Sequence, residues 1–464
     1  MSTNAAEPSS LTKLLERAVA HHQAEEFAQA GQLYRELLAK APNHSRTWTN
    51  YGALLRKQGC YAASIAAHRR ALQLQPGLES AQNNLANALN EVGEYAEAID
   101  LRRKLLEKAP DDPIQLRDLA VSLRGDWQHQ EVIDLVDRAE RELDISGQGE
   151  LLLQRSLSHL MLGNYAEGFR DFEGRYDGPE VSLPQNIPFP RWTNQQIAGK
   201  KLLIMPEQGF GDAILMSRFL PRLLEMGAKP SMMVKRPLMR LLQGLEGVAD
   251  GRLKLISEAR KSDGFELYTP NMSLPHLVGL EANRPPPPPK FEIPADSRAR
   301  AKALVAPFAS HFRIGVVWTG SLTYNANHRR ACGPEAFLPL TQIPGTQLFS
   351  LYKGDAHADF IASGMAGLIT DACGEDRDFA DTAAVIEEMD LMITTDTAVV
   401  HVAASMGKPV WNMLAHEGFW LYGTGERTLW YPSMRLVRQQ EPGDWSEVIE
   451  RVKSELIVHL EKAR

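Results

Sequence analysis

Cysteine is scarce in this chain. The 464 residues contain three cysteines, Cys60, Cys332 and Cys373, and they lie too far apart in sequence to form a Cys-x-x-Cys metal or redox pair. So few cysteines argue against a fold held together by disulfides and favour a reducing compartment. We therefore expect the protein in the cytoplasm.

Long apolar runs and an excess of basic charge are also missing. No apolar run reaches the roughly 18 residues that a membrane-spanning helix needs, and the first residues, MSTNAAEPSS, lack the features of a secretion signal. Lys and Arg number 51 against 58 Asp and Glu, a net charge of -7. This balance gives no general attraction for nucleic acid or anionic lipid. We expect no membrane span, no cleaved signal and no nucleic-acid partner.

Several motifs of common enzyme classes are absent from the sequence. It has no H-E-x-x-H zinc motif, no G-x-S-x-G hydrolase elbow and no G-x-x-x-x-G-K-[ST] phosphate loop. We therefore expect neither a metal site nor a bound cofactor. What the chain does have is a globular composition, 44% hydrophobic and 23% charged, and a length that predicts about three folding units at roughly 150 residues each.

The N-terminal third contains a repeat of 34 residues. Prolines, aromatic residues and glycines recur at this step: Pro42, Pro76 and Pro110; Phe27, Tyr61 and Tyr95; Gly59 and Gly93. Within each unit, apolar residues follow helical spacing in two blocks separated by the glycine. The pattern predicts a helix, a short turn, a second helix and a proline that ends it.

A helical pair with this period resembles the tetratricopeptide repeat (TPR). A degraded unit over 111–146 and the segment LMLGNYAEGFRDFEGRY extend the resemblance to about five helix pairs over 9–176, after a disordered N-terminus over 1–8. Stacked pairs of this kind form a solenoid whose concave face usually holds a peptide or protein. The alternative is a platform for packing or for a homo-oligomer.

After residue 192 the pattern changes to short apolar runs followed by helices, which indicates βα units and mainly parallel sheets. We predict strands at 200–205, 231–234, 253–256 and 266–268, and then at 313–318, 347–352, 367–370, 391–395 and 409–414. Two Rossmann-like lobes with a cleft between them follow from this order. The fold class is thus an α-helical TPR solenoid followed by an α/β region of GT-B architecture.

A run of five prolines, RPPPPPK, separates the two series of strands. Such a run forms a semi-rigid polyproline II spacer, so we interpret it as a linker; an SH3-type ligand is the alternative. We predict a connector over 177–198, a first lobe over 199–283, the linker over 284–309, a second lobe over 310–440 and a C-terminal helix over 441–464 that crosses back onto the first lobe.

The first lobe has one candidate site, the turn Glu207-Gln208-Gly209-Phe210-Gly211-Asp212 between its first strand and helix. It is not a dinucleotide fingerprint, because Ile214 takes the place of the third glycine. Asp212 follows the carboxyl end of a strand, where open α/β sheets bind ligands. An ordinary helix-capping role is the competing explanation for Asp212.

The second lobe offers a phosphate site where a strand runs into the predicted helix 398–406. Asp396, Thr397 and Ala398 lie at this turn, where free backbone N–H groups can hold a diphosphate. His401 lies one turn further on; the alternative for it is a buried, hydrogen-bonded histidine. Three cations also follow predicted strands at this edge: Arg329, Arg330 and Lys353. Any one of them is more often a solvated surface charge, so it is their convergence on one edge that indicates a phosphate site.

Four segments together resemble bacterial TPR-containing glycosyltransferases related to the heptosyltransferase (GT9-like) family, similar to flagellin and protein O-glycosyltransferases. They are EQGFGDAILMSRFLP, VVWTGS with NANHRR, DFADTAAVIEEMDLMITTDTAVVHVAASMGKPVW and WYPSMRLVRQ. The resemblance implies that Asp212 is the catalytic base. It also implies that Asp396, Thr397, Ala398 and His401 lie at the nucleotide-sugar phosphates, that the strand end from Trp318, Thr319 and Gly320 to Ser321 lines the donor cleft, and that Arg329 or Arg330 is a phosphate ligand. We add Gln208, Gly209, Gly211 and Lys353 to the predicted nucleotide-sugar site from their positions at strand ends.

The resemblance implies an inverting, metal-independent glycosyltransferase that uses a nucleotide-sugar donor and a Ser or Thr hydroxyl of a protein such as flagellin. The solenoid would bind that acceptor protein. Two alternatives stay open: transfer to a lipopolysaccharide or lipid-linked saccharide, and a non-catalytic scaffold with a decayed transferase region. Two departures, at Cys332-Gly333 and at 415–429, leave the donor sugar unassigned.

Overall fold

The computed structural model of the chain describes residues 8–143, 145, 147–178, 181–324 and 327–463. The predicted disordered stretch 1–8 lies outside these residues except for Pro8, which begins the first helix. The chain divides into two compact units, Met1–Arg155 and Ser156–Arg464. Helical repeats followed by an α/β region with parallel sheets confirm the predicted fold class.

The first unit is built from antiparallel helix pairs, as the 34-residue period predicts. Its helices are α1 (Pro8–Gln23), α2 (Phe27–Lys40), α3 (Ser45–Lys57), α4 (Tyr61–Leu74), α5 (Glu79–Val92), α6 (Tyr95–Lys108), α7 (Pro113–Gly125) and α8 (His129–Glu142). A ninth, α9 (Gly149–Met161), crosses into the second unit. The predicted aromatic positions Phe27, Tyr61 and Tyr95 begin the second helix of successive pairs.

The repeated prolines end helices in equivalent ways. The indole Nε1–H of Trp48 donates to the carbonyl of Pro42 at 2.8 Å. One repeat later, the Gln82 side-chain amide donates to the carbonyl of Pro76 at 3.3 Å. Because proline cannot continue the helix before it, the next helix supplies the hydrogen bond that this carbonyl needs.

The turn inside each pair requires a left-handed backbone at one position. Positive φ values occur at Glu25, Gly59, Gly93 and Trp127, spaced by 34 residues. Glycine adopts this conformation without strain, whereas other L-residues do so at a cost of roughly 1–2 kcal/mol. Trp127 in this place shows that the predicted degraded unit over 111–146 keeps the backbone of a repeat without its glycine.

The second unit contains two sheets among its described residues. Their strands are β1 (Lys201–Met205), β2 (Lys229–Met233), β3 (Lys254–Ile256), β4 (Leu267–Pro270), β5 (Phe312–Val317), β6 (Thr346–Ser350), β7 (Ile369–Asp371), β8 (Leu391–Thr395), β9 (Val410–Leu414), β10 (Arg427–Thr428) and β11 (Tyr431–Arg438). The first sheet has the order β3-β2-β1-β4 and the second β10-β11-β9-β8-β5-β6-β7. Only the β10–β11 pair among these is antiparallel.

Helices connect and cover these strands. They are α10 (Tyr165–Asp171), α11 (Phe210–Met216), α12 (Leu220–Glu225), α13 (Met239–Leu242), α14 (Leu274–Val278), α15 (Ala295–Val305), α16 (Asn327–Arg330), α17 (Leu338–Thr341), α18 (His357–Ala362), α19 (Phe379–Glu387), α20 (Ala398–Ser405) and α21 (Trp445–Ala463). The central strands β8 and β9 are buried along their whole length, as expected for parallel strands covered on both faces. Parallel pairing brings the carboxyl ends of neighbouring strands to one edge.

The predicted end of the solenoid at residue 176 needs correction. The chain from Ser156 onward belongs to the α/β unit. Aromatic burial explains the difference: the Tyr165 ring lies 5.6 Å from that of Trp430, and the Phe172 ring lies 4.9 Å from that of Trp420. The last helix pair therefore belongs to the repeat by its sequence pattern and to the α/β unit by its packing.

The predicted connector over 177–198 is also more structured than a linker. Its backbone extends the first sheet beyond β4, because Tyr268 N–H donates to the Pro190 carbonyl at 3.0 Å and Trp192 N–H to the Tyr268 carbonyl at 2.7 Å. Phe189 packs with Leu203 and Tyr268 in the core of this sheet. These hydrogen bonds and this packing make the segment part of the first lobe.

Two predictions at the second lobe are wrong. The linker over 284–309 is shorter than predicted, because 295–305 forms the helix α15, whose Arg298 pairs with Glu387 of α19. The C-terminal helix α21 does not cross back to the first lobe but packs on the second. The centre of its His459 ring lies 5.8 Å from that of Phe312 on β5 and 6.0 Å from that of Trp411 on β9, both strands of the second sheet.

No helix in the described part of the chain is both long enough and apolar enough to cross a membrane.

The repeat turn gives a direct stability test. Gly59 has φ +75° and Gly77 has an ordinary φ, and a Cβ added at either position would meet no atom within 4 Å. We expect Gly59→Ala to lower the unfolding free energy by roughly 1–2 kcal/mol through backbone strain alone. The matched variant Gly77→Ala should leave it unchanged or slightly higher. Urea unfolding followed by circular dichroism checks this; equal effects of the two substitutions would contradict it.

Candidate functional site

The turn between β1 and α11 approaches the second lobe closely at Gly211. A Cβ added there would lie 2.7 Å from Cδ2 of His401 and 3.6 Å from Cα of Ala398. Only a residue without a side chain allows this approach. The glycine thus brings together Gly211 and Asp212 of the first lobe with Ala398 and His401 of the second, four of the predicted site residues.

Asp212 combines the capping role with an unusual electrostatic environment. Its Oδ2 accepts the Gly209 N–H at 2.8 Å, so the helix-cap explanation is correct as far as geometry goes. Burial raises the pKa of the Asp212 carboxyl to about 6, the negative charges of Asp396 and Glu207 add to the rise, and the Gly209 hydrogen bond opposes it. The residue is nevertheless partly exposed. Such a carboxyl is largely surrounded by protein, is still reached by solvent, and changes its ionisation near neutral pH. These are the properties of a general base.

Asp396 lies near Asp212 on the second lobe and is surrounded by polar and cationic groups. Its Oδ1 accepts a hydrogen bond from the Tyr422 hydroxyl at 3.1 Å. Burial raises the pKa of Asp396, whereas the charges of Arg330 and Arg438 lower it. The arginines therefore favour the charged form of Asp396.

The start of α20 has the features of an anion site. Thr397 occupies the N-cap position, and its side chain makes no capping hydrogen bond. Its hydroxyl is buried without a hydrogen-bond partner among the described residues, and the side chain is only 8% exposed. A buried hydroxyl without a hydrogen-bond partner lowers the stability of the fold, unless a ligand forms the missing hydrogen bond.

His401 is buried, as its alternative explanation proposed, but it also lies against Gly211 of the glycine turn. Its Nδ1 lies 3.0 Å from the Tyr431 hydroxyl. Burial lowers the pKa of His401 to about 3, and the charge of Arg218 contributes. The imidazole is therefore neutral at physiological pH and does not act as a cation toward phosphate.

The residues just after β5, Trp318 and Thr319, were predicted to line the donor site. The Trp318 indole is 2% exposed and packs against the rings of Tyr352 and Phe360. Its side chain therefore belongs to the core and cannot line a donor site, although the resemblance implied such a role. Thr319 is buried, and its Oγ1 accepts from the Asn327 amide at 2.9 Å.

The three predicted cations follow neighbouring strands of one sheet, because Arg329 and Arg330 come after β5 and Lys353 comes after β6. Arg330 lies against Gly320, where an added Cβ would be 2.6 Å from Nη2. Arg329 forms an ion pair with Glu417 at 3.1 Å. Lys353 donates to the carbonyl of Asp376. Arg330 is the member of this set that acts on Asp396.

Gln208 lies at the exposed rim of the turn. Its backbone carbonyl accepts from Nζ of Lys235 at 3.2 Å, and the same Nζ lies 5.5 Å from the centre of the Phe210 ring. The contact positions the backbone of the turn.

Sequence reasoning missed a buried ion pair beneath the turn. Arg175 and Glu207 are joined by two hydrogen bonds of 2.7 and 2.8 Å, and the Tyr176 hydroxyl donates to the same carboxylate at 2.6 Å. Both charged side chains are at most 4% exposed. Because Arg175 precedes Glu207 by 32 residues and lies in a segment with repeat pattern, no local signal links the two.

Arg218, Tyr422, Tyr431 and Arg438 were also missed. Arg438 donates to the Gly423 carbonyl at 2.8 Å, and burial lowers its pKa to about 10, with Asp396 opposing. The segment WYPSMRLVRQ supplies Tyr431 and Arg438 and was already singled out as a motif. No strand is predicted in this segment. The structure shows that Tyr431 and Arg438 are the first and last residues of β11.

No group of three or more His, Cys, Asp or Glu within the described ranges is arranged to hold a metal ion.

Comparisons with known proteins agree with the predicted resemblance. Residues 348–414 match the model of "Glycosyltransferase family 9 (heptosyltransferase)", which covers the segment from β6 to β9. Protein FlbA of Caulobacter vibrioides is 27% identical over 318 residues, 64% of this chain and 53% of FlbA. The match therefore spans about half the length of this curated relative.

Solved structures similar to parts of the chain are more distant. A family 9 glycosyl transferase from Veillonella parvula is 13% identical, covering 56% of this chain and 91% of that chain at a TM-score of 0.40. MamA from Desulfovibrio magneticus RS-1 is 16% identical, covering 36% of this chain and 93% of that chain at a TM-score of 0.32. From the family match, the FlbA relationship and the fold, we conclude that the chain combines TPR-like helical repeats with a region like the family 9 glycosyltransferases.

The two carboxylates of the site provide a prediction. Because the charge of Asp396 raises the pKa of Asp212, Asp396→Asn should move the pKa of Asp212 below about 6. The control Asp250→Asn changes an exposed carboxylate that pairs with Arg252, and it should leave the Asp212 pKa unaltered. Carbon-13 NMR titration, with the Asp212 signal assigned by its loss in Asp212→Asn, measures the shift. An Asp212 pKa that is equal in both variants would show that Asp396 does not act on it.

Proposed function

We propose that the protein is an inverting glycosyltransferase of GT-B type that transfers a sugar from a nucleotide-sugar donor to a Ser or Thr hydroxyl of an acceptor protein. The main support is the contact of Gly211 with Ala398 and His401. This contact joins a carboxyl suited to general-base chemistry, Asp212, to a helix start suited to a diphosphate. The family match supports a glycosyltransferase as the reaction class.

In this mechanism Asp212 accepts the proton of the acceptor hydroxyl as its oxygen attacks the anomeric carbon. General-base assistance of this kind is typically worth about 10²- to 10⁴-fold. The bond from the anomeric carbon to the nucleotide diphosphate breaks, and its electron pair leaves with the diphosphate. A single displacement inverts the anomeric configuration.

The start of α20 would stabilise the leaving diphosphate. The N–H groups of Thr397 and Ala398, together with the unpaired Thr397 hydroxyl, are hydrogen-bond donors at the positive end of the helix dipole. The Arg330 guanidinium lies against Gly320, shortly after β5, and its charge lowers the pKa of Asp396. It is the nearby cation that could pair with a phosphate. With these groups available, we propose that turnover needs no metal ion and continues in EDTA.

The helical repeats are proposed to bind the acceptor protein. Stacked helix pairs present a long surface to a peptide or protein, which suits a protein acceptor better than a small saccharide. A cytoplasmic acceptor such as flagellin before export fits this arrangement, and a homo-oligomer through the repeats is the other use of the same surface.

Replacement of the base is the first test. We expect Asp212→Asn to lower kcat for donor turnover by roughly 10²- to 10⁴-fold, with Asp250→Asn as the exposed control. For the intact enzyme, kcat/KM should fall tenfold per pH unit below about pH 6, since protonated Asp212 cannot accept the acceptor proton. Equal turnover by Asp212→Asn and the intact enzyme would exclude Asp212 as the base and favour a scaffold.

Removal of the repeats tests their role. Because α9 begins at Gly149, a chain beginning at that residue keeps this helix whole. We expect it to retain hydrolysis of the donor and to lose efficient transfer to protein, seen as a raised KM for the acceptor. An unchanged KM would show that the repeats do not recognise the acceptor. Efficient transfer to a lipid-linked saccharide, with none to protein, would favour the other acceptor class.

A further inference from the structure

One arginine of the first lobe is buried against the second lobe without a carboxylate partner among the described residues. Arg218 is 2% exposed and follows α11. Its Nη1 donates to the carbonyls of Trp430 at 3.0 Å and Pro286 at 3.3 Å, and its Nε donates to that of Leu215 at 2.9 Å. No Asp or Glu of the described residues forms an ion pair with it, so its charge acts on the aromatic groups around it.

The two rings nearest this charge belong to β11 and the residue before it. The guanidinium carbon lies 4.9 Å from the centre of the Trp430 ring and 4.8 Å from that of Tyr431. Cations favour such positions over aromatic faces. The Tyr431 hydroxyl, which is hydrogen-bonded to His401, therefore connects the charge of Arg218 to the candidate site.

Tyr431 and His401 form a hydrogen bond whose direction the arginine determines. The phenolic oxygen and Nδ1 are 3.0 Å apart, and either atom could carry the shared proton. The Arg218 guanidinium interacts with the phenolic oxygen as well as with the ring face, and the Ser405 hydroxyl lies at the same oxygen. The cation attracts the oxygen lone pairs and repels the O–H hydrogen, so the Tyr431 hydroxyl points toward Nδ1. The same charge disfavours imidazolium. Nδ1 thus accepts, and the single ring proton of a neutral His401 lies on Nε2.

The Nε2 edge of this ring faces the catalytic turn. A Cβ on Gly211 would lie 2.7 Å from Cδ2 and 3.2 Å from Nε2. Nε2 has no hydrogen-bond partner among the described residues. The titratable or charged groups around the ring are Arg218, Tyr422 and Tyr431, with Asp212 one residue beyond Gly211.

We propose that Arg218 and Tyr431 are positioning residues that hold His401 as its neutral Nε2–H tautomer, a fixed hydrogen-bond donor beside Gly211 and the start of α20. The N–H would bind a phosphate oxygen of the donor, a role that rests on the proposed function. The tautomer does not rest on it. His401 would then act as a donor and never as the base, which leaves proton removal to Asp212.

The tautomer can be observed directly in the full chain. In protein labelled with ¹⁵N-histidine, two-bond proton–nitrogen correlations distinguish the tautomers, and His401→Gln identifies the signal. We expect the Nε2–H form in the intact protein at pH 7 and a mixture in Tyr431→Phe, which removes one hydroxyl. Arg218→Met should give a mixture and Arg218→Lys should restore the Nε2–H form. An Nδ1–H form in the intact protein, or an unchanged tautomer in Tyr431→Phe, would overturn the proposal.

Inorganic pyrophosphate serves as the probe for the ligand. We expect it to shift the Nε2–H signal of His401 in the intact protein. An Nε2–H signal that pyrophosphate leaves unmoved would remove the phosphate role. If the tautomer is as expected but the enzyme turns over no nucleotide-sugar, the proposed function fails while the positioning roles of Arg218 and Tyr431 stand.

Discussion

The contact of Gly211 with α20 is the constraint on which the rest of the site depends. A side chain at residue 211 would occupy the space of the His401 ring, so the two lobes meet here only because glycine stands at this position. The contact places Asp212 near Asp396, whose charge raises the pKa of Asp212. Burial is the largest cause of the raised pKa of Asp212, and the charge of Asp396 adds to it.

Buried arginines hold this contact from both sides. Arg175, in the segment that follows the last helix pair, holds Glu207 just before the glycine turn. Arg218, one helix beyond the turn, donates to the backbone at Trp430 and lies over Tyr431. Losing one partner of a buried pair leaves an uncompensated charge, which is strongly destabilising. The turn is thus positioned by charges that lie outside its own sequence.

Periodic features of the sequence predicted much of the fold. The 34-residue step predicted the helix pairs, including the degraded one around Trp127. It could do so because the same small and aromatic positions pack between the helices of every repeat. Apolar runs predicted strands such as β8 at its observed bounds, since strands buried on both faces admit few polar residues. The glycine turn and the start of α20 were found because ligand sites of parallel sheets lie at strand ends.

Contacts between distant segments could not be predicted in the same way. Nothing near Trp318 indicates that its ring packs on Tyr352 and Phe360 instead of lining the site. The helix α15 after the proline run and the packing of α21 on the second sheet depend on partners far away in the sequence.

Intact-mass analysis of flagellin co-expressed with this chain tests the central claim most directly. Transfer to protein predicts an added glycosyl mass that disappears with Asp212→Asn; an acceptor of unchanged mass with the intact enzyme, or a glycosyl mass that persists with Asp212→Asn, would contradict it.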